Sequence, residues 1–144
     1  MKNFKNKVAA ITGAGSGIGQ QLAVLLAKQG CHLSLSDINE KGLAQTVELV
    51  KQYPVTVTTK VLDVSNRDAV KQWAQETVHD HGGVNMIFNN AGVALGSTVE
   101  GASYEDLEWI VGINFWGVVY GTKEFLPFIK QTKDGHIINI SSIF

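Results

Sequence analysis

Thr12-Gly13-Ala14-Gly15-Ser16-Gly17-Ile18-Gly19 lies between an apolar run, Val8 to Ile11, and a stretch striped with leucine and alanine. Strand, glycine-rich turn and helix N-terminus in that order form a cradle for a pyrophosphate. The first helical turn leaves backbone N–H groups unpaired, and the helix dipole places partial positive charge there. Glycine lets the backbone approach closely enough for a phosphate to use both. Gly13 allows the tight turn, Gly17 the approach to phosphate and Gly19 close packing of helix on strand. A plain glycine turn is the alternative, and the strand–helix setting argues against it.

Working outward, the pattern alternates. Lys7 to Thr12 reads as a first strand buried on both faces, and Gly17 to Gln29 as a helix closed by Gly30. Cys31 to Ser36 is a second strand ended by Asp37. Asn39 caps a helix carrying Leu43, Val47 and Val50, which stops at Tyr53-Pro54. Val55 to Leu62 is a β-branched third strand. Ser65 and Asp68 resemble a capping box before a helix with Ala69, Val70, Trp73, Ala74, Thr77 and Val78 on one face, ended by Gly82-Gly83. Val84 to Phe88 is the fourth strand. Ser103 and Asp106 open a long helix reaching Thr132, ended or bent at Pro127. Gly135 to Ser142 is the fifth strand.

Every connection between strands contains a helix. That is the pattern of an α/β fold with a doubly wound parallel sheet, Rossmann-like, in the strand order 3-2-1-4-5 and truncated after strand five. Residues 1 to 144 then form one dinucleotide-binding domain, incomplete at its C-terminus. The crevice lies between strands one and four, at their carboxyl ends. In the long helix, Leu107, Ile110, Val111, Val118, Thr122 and Phe125 face the sheet. Trp109, Trp116, Val119 and Tyr120 lie outside that stripe, so a neighbouring helix, another subunit or a loop must cover them. Gly117 and Gly121 leave a groove there.

Composition narrows the function. The chain has 144 residues, 44% hydrophobic and 17% charged, with a formal net charge of -1, which gives no electrostatic case for nucleic acid or an anionic membrane. The single cysteine, Cys31, cannot form an intrachain disulfide and reads as a small buried hydrophobe in a reducing compartment. No apolar run approaches membrane-spanning length. A soluble, cytoplasmic protein is expected, with no metal site.

The glycine turn departs from G-x-G-x-x-G, because Ile18 stands where the third glycine would fall. With Asn89-Asn90-Ala91-Gly92, the T-G-x-x-x-G-I-G spacing resembles the short-chain dehydrogenase/reductase family. Asp37, Asp63-Val64, Asn114 and Ser142 follow in the family's order, so the resemblance covers essentially the whole chain. Asp37, 18 positions beyond Gly19, is placed to accept both ribose hydroxyls, and it would repel a 2′-phosphate. No Arg or Lys stands at Ser16, Ile38 or Asn39 to bind such a phosphate. NAD is therefore expected over NADP, with Ser16, Ile18 and Ile38 flanking it. Asp37 as a helix cap is the alternative.

The resemblance implies that Asp63 and Val64 meet the adenine edge, although Asp63 in service of the following turn is a strong alternative. It implies that Asn90, Ala91 and Gly92 line the adenine ribose while tying strand four to its neighbours. Asn114, read as buried in mid-helix, must be hydrogen-bonded. By resemblance it disturbs the helix and holds a water in a proton relay; a satisfied structural amide is the alternative. Ser142 matches the catalytic serine that hydrogen-bonds the substrate oxygen, with Ser141 the neighbouring candidate and a plain strand-end hydroxyl the bland one.

The family's proton donor is a Tyr with a Lys four positions later, after the Ser. Tyr53, Tyr104 and Tyr120 have no Lys at that spacing. The expectation is thus the cofactor-binding half of an NAD-dependent oxidoreductase acting on a secondary alcohol or ketone, without turnover alone. Val93, Ala94, Leu95, Ile143 and Phe144 would border the substrate pocket and hint at a hydrophobic substrate. A non-catalytic dinucleotide-binding module, a sensor or scaffold, is the second reading, and a plain interaction domain the third. Self-association into a homo-oligomer is expected, through the long helix or the isoleucine-rich edge of strand five.

Overall fold

A computed structural model describes residues 3–142, which leaves Ile143 and Phe144 outside the described residues. The elements run β1 Val8–Thr12, α1 Gly17–Lys28, β2 His32–Asp37, α2 Glu40–Val50, β3 Val57–Val61, α3 Arg67–His81 and β4 Met86–Asn89. There follow α4 Tyr104–Val111, a π-helical turn Gly112–Trp116, α5 Gly117–Ile129 and β5 His136–Asn139. All strand pairs are parallel, and the sheet runs β3-β2-β1-β4-β5, the order that the alternation predicts.

The period of a strand explains the layers. All five residues of β1 are buried, and successive side chains point to opposite faces. Ala9 and Ile11 pack with Ala23, Leu26 and Ala27 of α1 and Leu43 and Val50 of α2. Val8 and Ala10 pack with Val70, Trp73 and Ala74 of α3 and Phe125 and Ile129 of α5. Trp73 meets Phe125 edge to face at 4.8 Å between ring centroids. Its indole N–H donates to the Ser34 hydroxyl at 2.9 Å, which shares a 2.7 Å hydrogen bond with Thr77. Thr77 donates in turn to the Trp73 carbonyl, so no member of this buried group lacks a partner. Cys31 is fully buried, and burial pushes its thiol up to about 12, as expected of an inert hydrophobe. Among the described residues, no helix is long and apolar enough to cross a membrane and no side-chain cluster is set to hold a metal.

Local signals set most boundaries. Asn39 accepts from the Gly42 N–H, and Ser103 with Asp106 forms a reciprocal capping box. Gly82 closes α3 at φ 74°. Three element boundaries depart from the expectation. The cap of α3 is Asn66, whose side chain accepts from the Ala69 N–H, while Ser65 bonds Asp63 instead. β3 begins at Val57 rather than Val55, because the Thr56 N–H is taken by His32 Nδ1. α5 passes through Pro127 to Ile129.

The largest departure is in the long helix, which the π turn divides. Its inward stripe becomes Gly117, Gly121, Phe125 and Ile129, while Leu107 and Val111 are exposed. Gly117 and Gly121 therefore serve the core. A Cβ at Gly117 would lie 2.7 Å from Val64, and one at Gly121 would overlap the Asn89 side-chain oxygen.

Candidate functional site

Because the strands are parallel, one edge of the sheet gathers every carboxyl end. Thr12, Asp37, Val61 and Asn89 close β1 to β4 there, and the chain beyond β5 reaches Ser142 at the same edge. The glycine turn adopts the conformation that its residues permit: Gly13 has φ 65° and Gly17 φ 51°, values that L side chains avoid. Ser16 caps α1 with extended backbone and makes no side-chain cap bond. The first N–H bonded back within α1 is that of Gln20, to the Ser16 carbonyl. The amides of Gly17, Ile18 and Gly19 precede it in the helix, and Ser16, Gly17 and Ile18 are exposed. No atom lies within 4 Å of where a Gly17 Cβ would stand. Gly19 is buried beneath, and a Cβ there would overlap the Gly13 carbonyl oxygen.

Asn90 fastens this turn to β4. Its side-chain nitrogen donates to the Thr12 carbonyl at 3.0 Å and, more weakly, to that of Gly13 at 3.3 Å. The Thr12 hydroxyl accepts from the Asn90 and Ala91 N–H groups, both at 2.9 Å, and donates to the Phe88 carbonyl. Ala91 then lies so near that a Cβ on Gly13 would come within 2.9 Å of its Cα.

Asp37 stands at the far wall. One carboxylate oxygen accepts from the Gly15 N–H at 2.8 Å, and the other from the Asn39 N–H at 2.9 Å. The helix cap is Asn39, so Asp37 is not the cap that the alternative supposed. Asp63 uses one oxygen on the following turn, accepting from the Ser65 N–H at 2.8 Å and hydroxyl at 2.7 Å. These residues line a cleft of about 410 Å³. Gly13, Ser16, Gly17, Ile18, Asp37, Ile38, Asp63, Val64, Asn90, Ala91 and Gly92 all contribute, as does Val93.

Three expected site residues lie outside the cleft wall: Gly19, which packs below it, Asn114 and Ser142. Asn114 was expected buried in a continuous helix; it is exposed, and it sits inside the π turn. Its amide is satisfied reciprocally by Val93: the Val93 N–H donates to Oδ1 and Nδ2 donates to the Val93 carbonyl, both at 2.8 Å. Asn114 thus clamps the loop after β4. Leu62, Trp109 and Ile113 also line the cleft, and sequence reasoning missed them. Trp109 and Ile113 are four positions apart on one helical face, a spacing that could have flagged the pair. Thr12, Gly15 and Gly42, which support the site, were likewise not singled out.

The arrangement fits an extended dinucleotide. Open amides and left-handed glycines at one end form a cradle of the size and polarity an anion needs. Asp37 offers a carboxylate with unused lone pairs, and Ile38, Leu62, Val64 and Ile113 offer apolar wall.

A family model described as short chain dehydrogenase matches residues 7–144. SadH of Mycobacterium tuberculosis (strain ATCC 25618 / H37Rv) is 46% identical over 144 residues, all of this chain and 52% of its own length. The 3-oxoacyl-[acyl-carrier-protein] reductase FabG of Thermotoga maritima is 31% identical over 97% of this chain and 57% of its own. Among solved structures, a short chain dehydrogenase/reductase from Burkholderia phymatum in complex with NAD superposes with a TM-score of 0.95 at 38% identity, covering 99% of this chain and 51% of that one. The chain thus spans about half the length of the relatives it matches.

Proposed function

The chain belongs to the short-chain dehydrogenase family, and from that premise we propose that it is the cofactor-binding half of an NAD-dependent oxidoreductase acting on a secondary alcohol or ketone. The observation that carries this reading is the single cleft wall shared by the open amides of the glycine turn and the Asp37 carboxylate. In the Burkholderia phymatum relative the bound nucleotide is NAD.

In this reading Ser16, Gly17 and Ile18 hold the diphosphate with backbone N–H groups, and Gly13 and Gly19 let α1 approach β1 closely. Asp37 accepts the ribose hydroxyls. Val64, Ile38, Leu62 and Ile113 wall the adenine, with Asp63 at its edge, and Asn90, Ala91 and Gly92 line the adjoining ribose. Two carboxylates and no Lys or Arg appear among the described residues of the cleft wall. That balance disfavours a 2′-phosphate and supports NAD over NADP.

Bound nicotinamide would exchange a hydride with the secondary alcohol or ketone. The Ser142 hydroxyl hydrogen-bonds the substrate oxygen and orients it, a contact that strengthens as charge develops there. Asn114 holds Val93 and the π turn in register and, as the family resemblance implies, supports a proton relay. The proton itself needs a group tuned near neutral pH. No tyrosine of these 144 residues has a lysine four positions later, so these residues alone give no turnover. Val93, Ala94 and Leu95 border a pocket for an apolar substrate. A single cysteine, Cys31, can form no intrachain disulfide, which supports a reducing, cytoplasmic setting.

The test is turnover of the full-length protein with secondary alcohols and NAD, followed by absorbance of the reduced nicotinamide. Activity that falls about 100-fold or more in Ser142→Ala, at unchanged NAD affinity, supports the reading. NAD binding without turnover of any alcohol or ketone favours the non-catalytic module.

A further inference from the structure

The geometry points to Gly15 and Gly42 as positioning residues for Asp37, and through it as determinants of which dinucleotide the cleft accepts. This inference rests on the reading of Asp37 as the ribose-binding acid.

Asp37 lies on the last position of β2, where a carboxylate is otherwise free to rotate between rotamers. Two backbone amides fix it. The Gly15 N–H, from the glycine turn, donates to one oxygen at 2.8 Å, and the Asn39 N–H donates to the other at 2.9 Å. The first of these bonds requires the turn to lie against the start of α2, and glycine makes that contact on both sides. A Cβ on Gly15 would stand 2.9 Å from the Asp37 oxygen it now serves and 3.3 Å from the Gly42 carbonyl carbon. A Cβ on Gly42 would stand 2.6 Å from the Gly15 carbonyl oxygen. Neither glycine has positive φ, so close approach, and not backbone conformation, demands them.

The contact is tied from α2 and α1 as well. Thr46 donates to the Ala14 carbonyl at 2.8 Å, and the Gln20 side chain donates to Thr46 at 3.0 Å. Gly42 is itself fixed, because its N–H donates to the Asn39 cap. The anion-binding turn and the acid that selects the sugar are therefore one hydrogen-bonded unit. A preorganised carboxylate meets two hydroxyls without first losing rotamer freedom. Displaced, it loses those bonds and no longer opposes a 2′-phosphate.

The test is calorimetric titration of the full-length protein with NAD and with NADP, for wild type, Gly15→Ala and Gly42→Ala. A fold defect weakens both nucleotides together, whereas loss of Asp37 orientation narrows their ratio. The expected result is NAD affinity reduced about tenfold and NADP affinity held or raised, with thermal midpoints lowered as the turn and the start of α2 move apart. Parallel loss of both, with the ratio unchanged, overturns the inference. Hydrogen exchange at the Gly15 amide is the independent measure, available even where neither variant folds. Faster exchange in Asp37→Ala than in wild type supports the bond's role, and equal exchange overturns it. A wild type that binds neither nucleotide, or both alike, refutes the reading of Asp37 itself and leaves the exchange result to decide the glycines.

Discussion

Thr12 accepts twice from Asn90: the Asn90 backbone N–H donates to the Thr12 hydroxyl at 2.9 Å, and the Asn90 side chain donates to the Thr12 carbonyl at 3.0 Å. The pair joins the ends of β1 and β4, the point where the strand order reverses. The loop that carries Ala91 and Gly92 is thereby set against the glycine turn.

Thr12→Val keeps the shape and β-branching of the side chain but removes the acceptor of two N–H groups. Leaving two half-buried donors without this partner costs about 1 kcal/mol, the lower end of the range for an unsatisfied donor. Urea denaturation should show that loss for Thr12→Val and recover most of it in Thr12→Ser. Equal stability of Val and Thr at this site would contradict the pairing.

Asp37→Arg exchanges an acid for a cation at the ribose end of the cleft. NAD affinity should fall about tenfold or more, and NADP affinity should rise. Equilibrium titration with both nucleotides reads this directly, and an undiminished preference for NAD would contradict the assignment.

Acidification should weaken the fold through His81. Burial, helped by nearby His32, holds this imidazole below its ordinary 6.5, against the opposing pull of Asp80. Its Nε2 lies 2.9 Å from the Thr58 hydroxyl on β3. As pH falls below about 6.5 the unfolded chain takes up the proton before the folded one does, so stability declines through the window down to the lower folded value. His81→Gln removes this titration. Its urea midpoint should depend less on pH between about 7 and 5 than that of wild type, and an identical slope would contradict the argument.

Leu107, Trp109, Phe115 and Trp116 remain exposed on α4 and the π turn. Phe115 and Trp116 lie edge to face, and Trp116 stacks on Tyr120. An exposed apolar, aromatic face of this kind marks an interaction surface, and we expect a second copy of the chain to cover it. Sedimentation should show concentration-dependent association that Trp116→Lys weakens. A monodisperse wild-type monomer at high concentration would contradict it.

Much of the fold was legible because alternation, caps and glycines act locally. Val8 to Ile11 carries no polar residue, and Asn39 and Ser103 announce their helices. The π turn was not legible: residues 112 to 116 contain no proline, and the irregularity coincides with a tertiary bond between Asn114 and Val93. The cap of α3 was misplaced by one residue because Ser65 and Asn66 are both good caps, and the bond from Ser65 to Asp63 decides between them. In the site, Asp37, Asp63 and the glycines announced themselves by type and spacing. Gly15 and Gly42 did not, since their need for small size arises only where a turn and a helix 27 positions apart in sequence touch.

The open amides of α1 and the Asp37 carboxylate stand on one cleft wall, placed to hold one dinucleotide between them. Calorimetric titration of the wild-type protein with NAD and then NADP tests it most directly. One NAD per chain should bind, at least about tenfold more tightly than NADP. Absence of NAD binding, or equal affinity for the two, would contradict it.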